Sequence, residues 1–145
     1  MQQTNEKRQA VVDMARTVLE TPFRHQGRTP LGLDCVGLIM YIGVQLGHPM
    51  PVDYGAYRRA PKPEEFLRLF NEYMVRKRVI DMAPGDCVLL RDNMFTTHCC
   101  IYDIVNGQEN IIHALAPRRR VLEEPFDEYY KGRATWCFAY PGVDD

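Results

Sequence analysis

The stretch Leu33-Asp34-Cys35-Val36-Gly37-Leu38-Ile39-Met40-Tyr41-Ile42 constrains this chain more than any other. The run from Cys35 to Leu46 is long enough for a helix and is apolar on every face. A helix without a polar face belongs inside a domain, covered by other elements. Asp34 stands just before it and is a good N-cap, because its carboxylate can accept hydrogen bonds from the free N–H groups of the first turn. Cys35 then opens a buried helix, where the helix dipole and unpaired N–H groups favour a thiolate near neutral pH. The plainer reading is that cysteine is a common buried residue.

The rest of the chain has to cover this helix. Residues 6–20 carry Val11, Val12, Ala15, Val18 and Leu19 at helical spacing, with charges on the other face, and Pro22 marks the expected end. Residues 23–32 are rich in turn formers and read as a loop. The apolar helix should stop near Gly47 and Pro49, and residues 48–62 read as an irregular, proline-bearing connection. A third helix is expected to start with Pro63 in its first turn. Phe66, Phe70, Tyr73 and Met74 give it one apolar face. At Pro84-Gly85-Asp86 the pattern changes. Strands are predicted over 87–91, 97–105, 109–115, 119–123 and 134–140, and Asn106-Gly107 is a strong hairpin signal between the second and third. Helices first and strands afterwards indicate an α+β fold, with helices packed on one side of an antiparallel sheet.

A chain of 145 residues is read as one domain, 1–145, able to bury roughly 68–70% of its unfolded surface without disulfides or metal. The net charge of −1 argues against a general nucleic-acid binder. No run approaches the ~20 apolar residues of a membrane span, so no membrane partner is expected. Met1 to Arg8 is polar and leads straight into a helical pattern, which gives the expectation of no signal peptide and synthesis in the bacterial cytoplasm. The five cysteines are odd in number, two are vicinal, and none form a Cys-x-x-Cys pair. They read as reduced thiols.

Two histidines flank the predicted hairpin. If Asn106-Gly107 is a two-residue loop, Val105 pairs with Gln108 and His98 lies opposite Leu115. His113 shares a face with residue 115, so His98 and His113 point to the same side as diagonal neighbours about 7–8 Å apart at the backbone. One residue more or fewer in the loop would put them on opposite faces. A thiolate at a helix start and two histidines on one face of a sheet are what thiol nucleophilic catalysis requires. One imidazole accepts the thiol proton, and a second group fixes that imidazole's tautomer. Spacing alone does not bring Cys35 to His98, and a satisfied structural histidine is the commoner fate of any single one.

The order Asp34-Cys35-Val36-Gly37-Leu38, Ala83-Pro84-Gly85-Asp86, Thr97-His98-Cys99-Cys100-Ile101-Tyr102 and Ile111-Ile112-His113-Ala114 resembles that of NlpC-type cell-wall peptidases. These are papain-like cysteine peptidases that cut the peptide stems of bacterial peptidoglycan. The resemblance spans residues from about 10 to 140. It implies a papain-like α+β fold, with N-terminal helices carrying Cys35 and a small antiparallel sheet carrying the two histidines. It also implies Cys35 as nucleophile, His98 as general base and His113 as the orienting third member, with no cofactor and no metal. The stretch Thr21-Pro22-Phe23-Arg24-His25-Gln26 is most similar to the branch carried by phage tails and gene-transfer particles. From that follow the expected partners, peptidoglycan peptide and tail-tip or hub proteins, and the expected location, a virion tail.

The sequence departs from the family twice. Phe23 stands where the family usually has a tyrosine whose hydroxyl reaches the active site, and Val36 stands where it usually has a serine. His25 or Gln26 could replace the lost donor, while Asp34 and Val36 flank the nucleophile as candidate substrate-binding or oxyanion positions. The departures keep two alternatives open: a structural tail-tip module of the same fold without activity, and an amidase or acyltransferase on the same scaffold. Cys100 joins Cys35, His98 and His113 as a soft-ligand set if its strand is regular, but the spacing matches no common zinc motif. Arg118-Arg119-Arg120 reads as a solvated turn. Phe23, Tyr54, Tyr57, Phe95 and Tyr102 line either a groove or the core.

Overall fold

Asn5 caps the first helix, α1 (Glu6–Thr17), its side chain accepting from the Arg8 N–H at 2.9 Å. Val11, Val12 and Ala15 are buried along it. The helix ends at Thr17, well before Pro22, because the chain beyond gives its backbone to the sheet. Glu20 N–H donates to the Val121 carbonyl, and Val121 N–H to that of Thr21, each at 2.9 Å. Pairing with a strand outcompetes the last helical turn that the periodicity suggests. The computed structural model describes residues 5–50, 63–92 and 95–145, and at 63, 92, 95 and 96 the backbone alone. Most of the expected irregular connection, 51–62, therefore lies outside the described residues, as do Tyr54, Tyr57 and the side chain of Phe95.

The apolar run forms α2 (Cys35–Gln45), and Leu38, Ile39, Met40 and Ile42 are sealed in the core. Gly47, at φ 78°, stops the helix. Its N–H reaches back to the Val44 carbonyl and that of His48 to Gly43, the paired bonds of a glycine-terminated helix end. The third helix, α3 (Pro63–Tyr73), buries Phe66 and Phe70, with the Phe70 ring tilted against that of Phe138 at 5.6 Å.

Two short strands, β1 (Arg28–Thr29) and β2 (Gly32–Leu33), form a small hairpin within the predicted loop before α2. The main sheet is antiparallel, with strands β3 (Val75–Lys77), β4 (Cys87–Asp92), β5 (Phe95–Val105), β6 (Gln108–Leu115), β7 (Arg120–Pro125) and β8 (Ala134–Ala139) in the order β3-β8-β4-β5-β6-β7. Asn106 (φ 52°) and Gly107 (φ 81°) make the two-residue turn, and Val105 pairs with Gln108 as the hairpin signal requires. Composition hid β3, which is short and holds two cations among its three residues. A single edge strand of that kind resists pairing with other chains.

The sheet has two working faces. Cys87, Leu89, Cys99, Ile101, Ile112 and Ala114 pack under the helices. Val88, Leu90, Cys100, Tyr102 and Ile111 form a smaller cluster on the other face with Phe126 and Tyr130, the latter from a short helix, α4 (Glu128–Lys131). Tyr102 thus belongs to the core, edge-on to Phe126 at 5.7 Å. The Pro84-Gly85-Asp86 turn ties α1 to the start of β4. Asp86 is fully buried and meets Arg8 at 2.7 Å and Lys77 at 2.5 Å, while the Ala83 N–H donates to it at 2.8 Å.

Candidate active site

Three local structures place Cys35. Its helix starts at Asp34, whose Oδ1 accepts from the Gly37 N–H and whose Oδ2 accepts from the Gln26 N–H, each at 2.7 Å. One carboxylate therefore caps α2 and pins the preceding turn against it. Gly37 permits that contact: a methyl group there would be driven into the Gly27 carbonyl oxygen, well inside van der Waals distance. Backbone on that side cannot yield as a flexible side chain would. Gly37→Ala is expected to destabilise the fold by about 1–3 kcal/mol, the usual cost of overpacking. A fall in the urea midpoint at unchanged slope checks it.

On the sheet, the register from Val105↔Gln108 to Ile101↔Ile112, if continued, sets His98 opposite Leu115. His98 and His113 meet as diagonal neighbours, with Nε2 of His98 2.8 Å from Nδ1 of His113. Beside them β5 bulges against β4. Leu90 pairs with His98 and Arg91 with Thr96, so Thr97 is the extra residue. Such an insertion bends a strand and re-aims its side chains. The line of contacts continues past His113. Its Nε2 lies 2.7 Å from Oε2 of Glu124, and the Tyr130 hydroxyl donates to the same oxygen at 3.0 Å. His113 is fully buried.

Cys35 is half-buried and in hydrogen-bond contact with both the Cys99 thiol and the His98 ring. Its thiol is brought down to about 5, first by the hydrogen bond from Cys99, then by the hydrogen bond and charge of His98; burial and the Asp34 charge oppose this. Burial holds Cys99 well above the usual thiol range, aided by its contacts with Cys35 and Cys87, so Cys99 keeps its proton and donates it. His113 is lowered to about 4 by burial and by the charge of His98, against the upward pull of Glu124, and is neutral at physiological pH. The arrangement joins a stabilised thiolate to an imidazole with a second, neutral imidazole behind it. Cys100 plays no part in it, since its thiol donates to the Val88 carbonyl on the far face.

A cleft of about 340 Å³ opens over this group, walled by Phe23, Leu115, Tyr129 and Arg133 around Cys35 and His98. Arg91 and Arg133 line it, and no carboxylate does among the described residues. A second groove of similar size, by Arg28, Met40 and Tyr41, holds no cysteine or histidine. Phe23 reaches the cleft because its N–H donates to the Arg119 carbonyl at 2.9 Å and it bridges to Leu33. The arginine turn thus contributes backbone, while Arg118 and Arg119 are exposed and Arg120 pairs with Glu20. His25 and Gln26 sit in the turn before β1, outside the cleft's lining. Asp34 serves as a cap, and Val36 points into the core at 4% exposure.

The sequence reading missed Glu124, Tyr130 and Cys99. Glu124 had a readable signal, since it pairs with Ile111 and so shares the face of His113, but the predicted strand stopped at 123. Cys99 alternates to the helix face, and nothing in spacing says that the start of α2 lands against it.

The sequence pattern of the NlpC/P60 family matches residues 20–139, and the chain belongs to that family. Solved structures share the fold. An NLP/P60 family protein similar to a lipoprotein, from Staphylococcus aureus, is 18% identical with a TM-score of 0.67, over 97% of this chain and 43% of that one. The NlpC/p60 domain of the peptidoglycan hydrolase SagA is 20% identical with a TM-score of 0.64, over 91% and 97%. The peptidoglycan hydrolase RipB of Mycobacterium tuberculosis is 16% identical with a TM-score of 0.65, over 92% and 64%. This chain spans less than half of the staphylococcal protein. Curated protein sequences give no significant match.

Proposed function

We propose that this NlpC/P60 protein is a cysteine peptidase that hydrolyses peptide bonds in the stem peptides of bacterial peptidoglycan. The observation that carries the reading is the contact line from Cys35 through His98 to His113 at the floor of an open cleft. In the proposed reaction the Cys35 thiolate adds to the scissile carbonyl carbon. The first-turn N–H of Cys35 is positioned as a donor to the oxyanion. As the tetrahedral adduct collapses, the C–N bond breaks and the His98 imidazolium gives its proton to the departing amine, leaving a thioester on Cys35. His98 then takes a proton from water as the water attacks, and the thioester yields a carboxylate and the free thiol.

Two observations support peptidoglycan as the substrate. SagA and RipB are described as peptidoglycan hydrolases. Arg91 and Arg133 on the cleft wall suit stem peptides, which carry free carboxylates. The narrower reading is a hydrolase carried on a phage tail and docked to tail-tip or hub proteins. It rests on the similarity of Thr21–Gln26 to the tail-borne branch.

Phe23 favours one competing reading. It puts a ring without a hydroxyl in the cleft where the family usually has tyrosine, as a structural tail module would tolerate. Digestion of purified peptidoglycan by wild type and Cys35→Ala, with products identified by mass, separates the two. The expected outcome is new stem fragments from the wild type alone. Fragments from neither, with Cys35 alkylating no faster than a free thiol at pH 6–7, would establish the structural module.

A further inference from the structure

We infer that Glu124, braced by Tyr130, is a positioning residue that selects the tautomer of His113 and so sets which nitrogen of His98 carries its proton. The role rests on the proposed thiol chemistry, but its first two readouts need no substrate.

Three short contacts in series carry the inference: His98 Nε2 to His113 Nδ1 at 2.8 Å, His113 Nε2 to Glu124 Oε2 at 2.7 Å, and the Tyr130 hydroxyl to that same oxygen at 3.0 Å. A neutral imidazole carries one N–H, and an ionised carboxylate only accepts. With the proton on Nε2, His113 donates to Glu124 and turns the lone pair of Nδ1 toward His98. His98 can then donate from its own Nε2 and keep Nδ1 free to receive the thiol proton. With the proton on Nδ1, two lone-pair sites would oppose each other across 2.7 Å. His98 would have to leave Nε2 bare and protonate Nδ1, and that tautomer cannot take a proton from Cys35. The ion pair suffers likewise, since the imidazolium form of His98 would press one N–H against another.

The fold builds this arrangement twice over. His98 and His113 are diagonal neighbours across β5 and β6, and His113 and Glu124 are diagonal neighbours across β6 and β7, because Glu124 pairs with Ile111 and His113 with Leu122. Tyr130 comes from α4, whose start Asp127 caps through the N–H groups of Tyr129 and Tyr130. Its ring stands edge-on to that of His113 at 5.6 Å, and burial together with the charge of Glu124 keeps its hydroxyl protonated as a donor. His113 is fully buried, so no solvent competes for its nitrogens. A histidine as the member behind the base has its own tautomer to settle, and Glu124 settles it.

The test is ¹⁵N NMR of the histidine rings together with the pH profile of Cys35 alkylation by iodoacetamide, in wild type, Glu124→Leu and Tyr130→Phe. Wild-type His113 is expected to carry its proton on Nε2 alone. In Glu124→Leu the Nδ1–H form becomes populated, and alkylation at pH 6 slows severalfold, by no more than in His98→Ala. Stem-peptide hydrolysis follows in kcat with KM unchanged. Tyr130→Phe keeps the tautomer and loses less. Proton placement on Nδ1 in the wild type overturns the inference without any variant, which covers the case of Glu124→Leu failing to fold. An unchanged His113 tautomer and alkylation profile in folded Glu124→Leu overturns it as well. A wild type that releases no stem fragments defeats the peptidase reading and leaves the tautomer and alkylation results standing.

Discussion

His98→Ala is expected to lower kcat/KM for stem-peptide hydrolysis about 10²- to 10⁴-fold, the range that general acid–base catalysis contributes. It also moves the onset of Cys35 alkylation to higher pH. A thiol is an acid, so lowering its value raises the thiolate fraction at any given pH. With Cys35 near 5, wild-type alkylation should rise as pH increases through about 5 and level off before pH 7. Removing the imidazole takes away one hydrogen bond and the positive charge beside the thiolate, but leaves the donor from Cys99. The midpoint should therefore travel part of the way toward the ordinary thiol value of about 8.5. Alkylation measured from pH 4 to 9 in both proteins reads this directly. A profile that does not move would mean that the Cys99 thiol alone stabilises the thiolate, and His98 would then be needed for the leaving amine only.

The same residues show how far the sequence could be read. The capped apolar helix was legible because an all-apolar run has one physical outcome, and Asp34, Leu38 and Gly47 each do what their residue types predict. The histidine pair was legible because a two-residue Asn-Gly turn fixes parity, and parity fixes the face. What stayed hidden depends on pairing between distant segments. The end of α1 is set by Val121, a hundred residues on. Glu124 was missed by one residue at a strand end, where alternation fades into a charged Glu-Glu-Pro stretch that looks like a turn. The hydrogen bond from Cys99 to Cys35 needs the packing angle of α2 on β5, which no spacing encodes. His25 and Gln26 lie in the turn that Asp34 pins through the Gln26 N–H, and neither is among the residues lining the cleft.

The largest stability effect is expected away from the cleft. Asp86→Ala should cost about 3–5 kcal/mol, the usual penalty for removing one partner of a buried ion pair. Pro-Gly-Asp reads as a family mark, and its work in this fold is to hold charges. Asp86 is fully buried and receives Arg8 at 2.7 Å, Lys77 at 2.5 Å and the Ala83 N–H at 2.8 Å. Arg8 also bonds the Pro84 carbonyl at 3.1 Å and pairs with Asp144 at 2.7 Å, but Asp144 lies largely in solvent and cannot compensate a buried cation. Gly85 is required in the same turn. It adopts φ 87°, and a side chain there would press on the Arg8 backbone. Without the Asp86 carboxylate, Arg8 and Lys77 face each other with nothing between them, and the join between α1 and β4 loosens. At roughly 2–4 °C per kcal/mol for a chain of this size, the melting temperature should fall by about 10 °C. Asp86→Asn, which keeps an acceptor for Ala83 but no charge, should fall between that variant and wild type. Below the transition, Cys35 in Asp86→Ala should alkylate at the wild-type rate, because Asp86 touches none of the groups around the thiol. A loss of less than about 1 kcal/mol would mean that these ion pairs are worth no more than surface pairs, and the burial of Asp86 would then need another explanation.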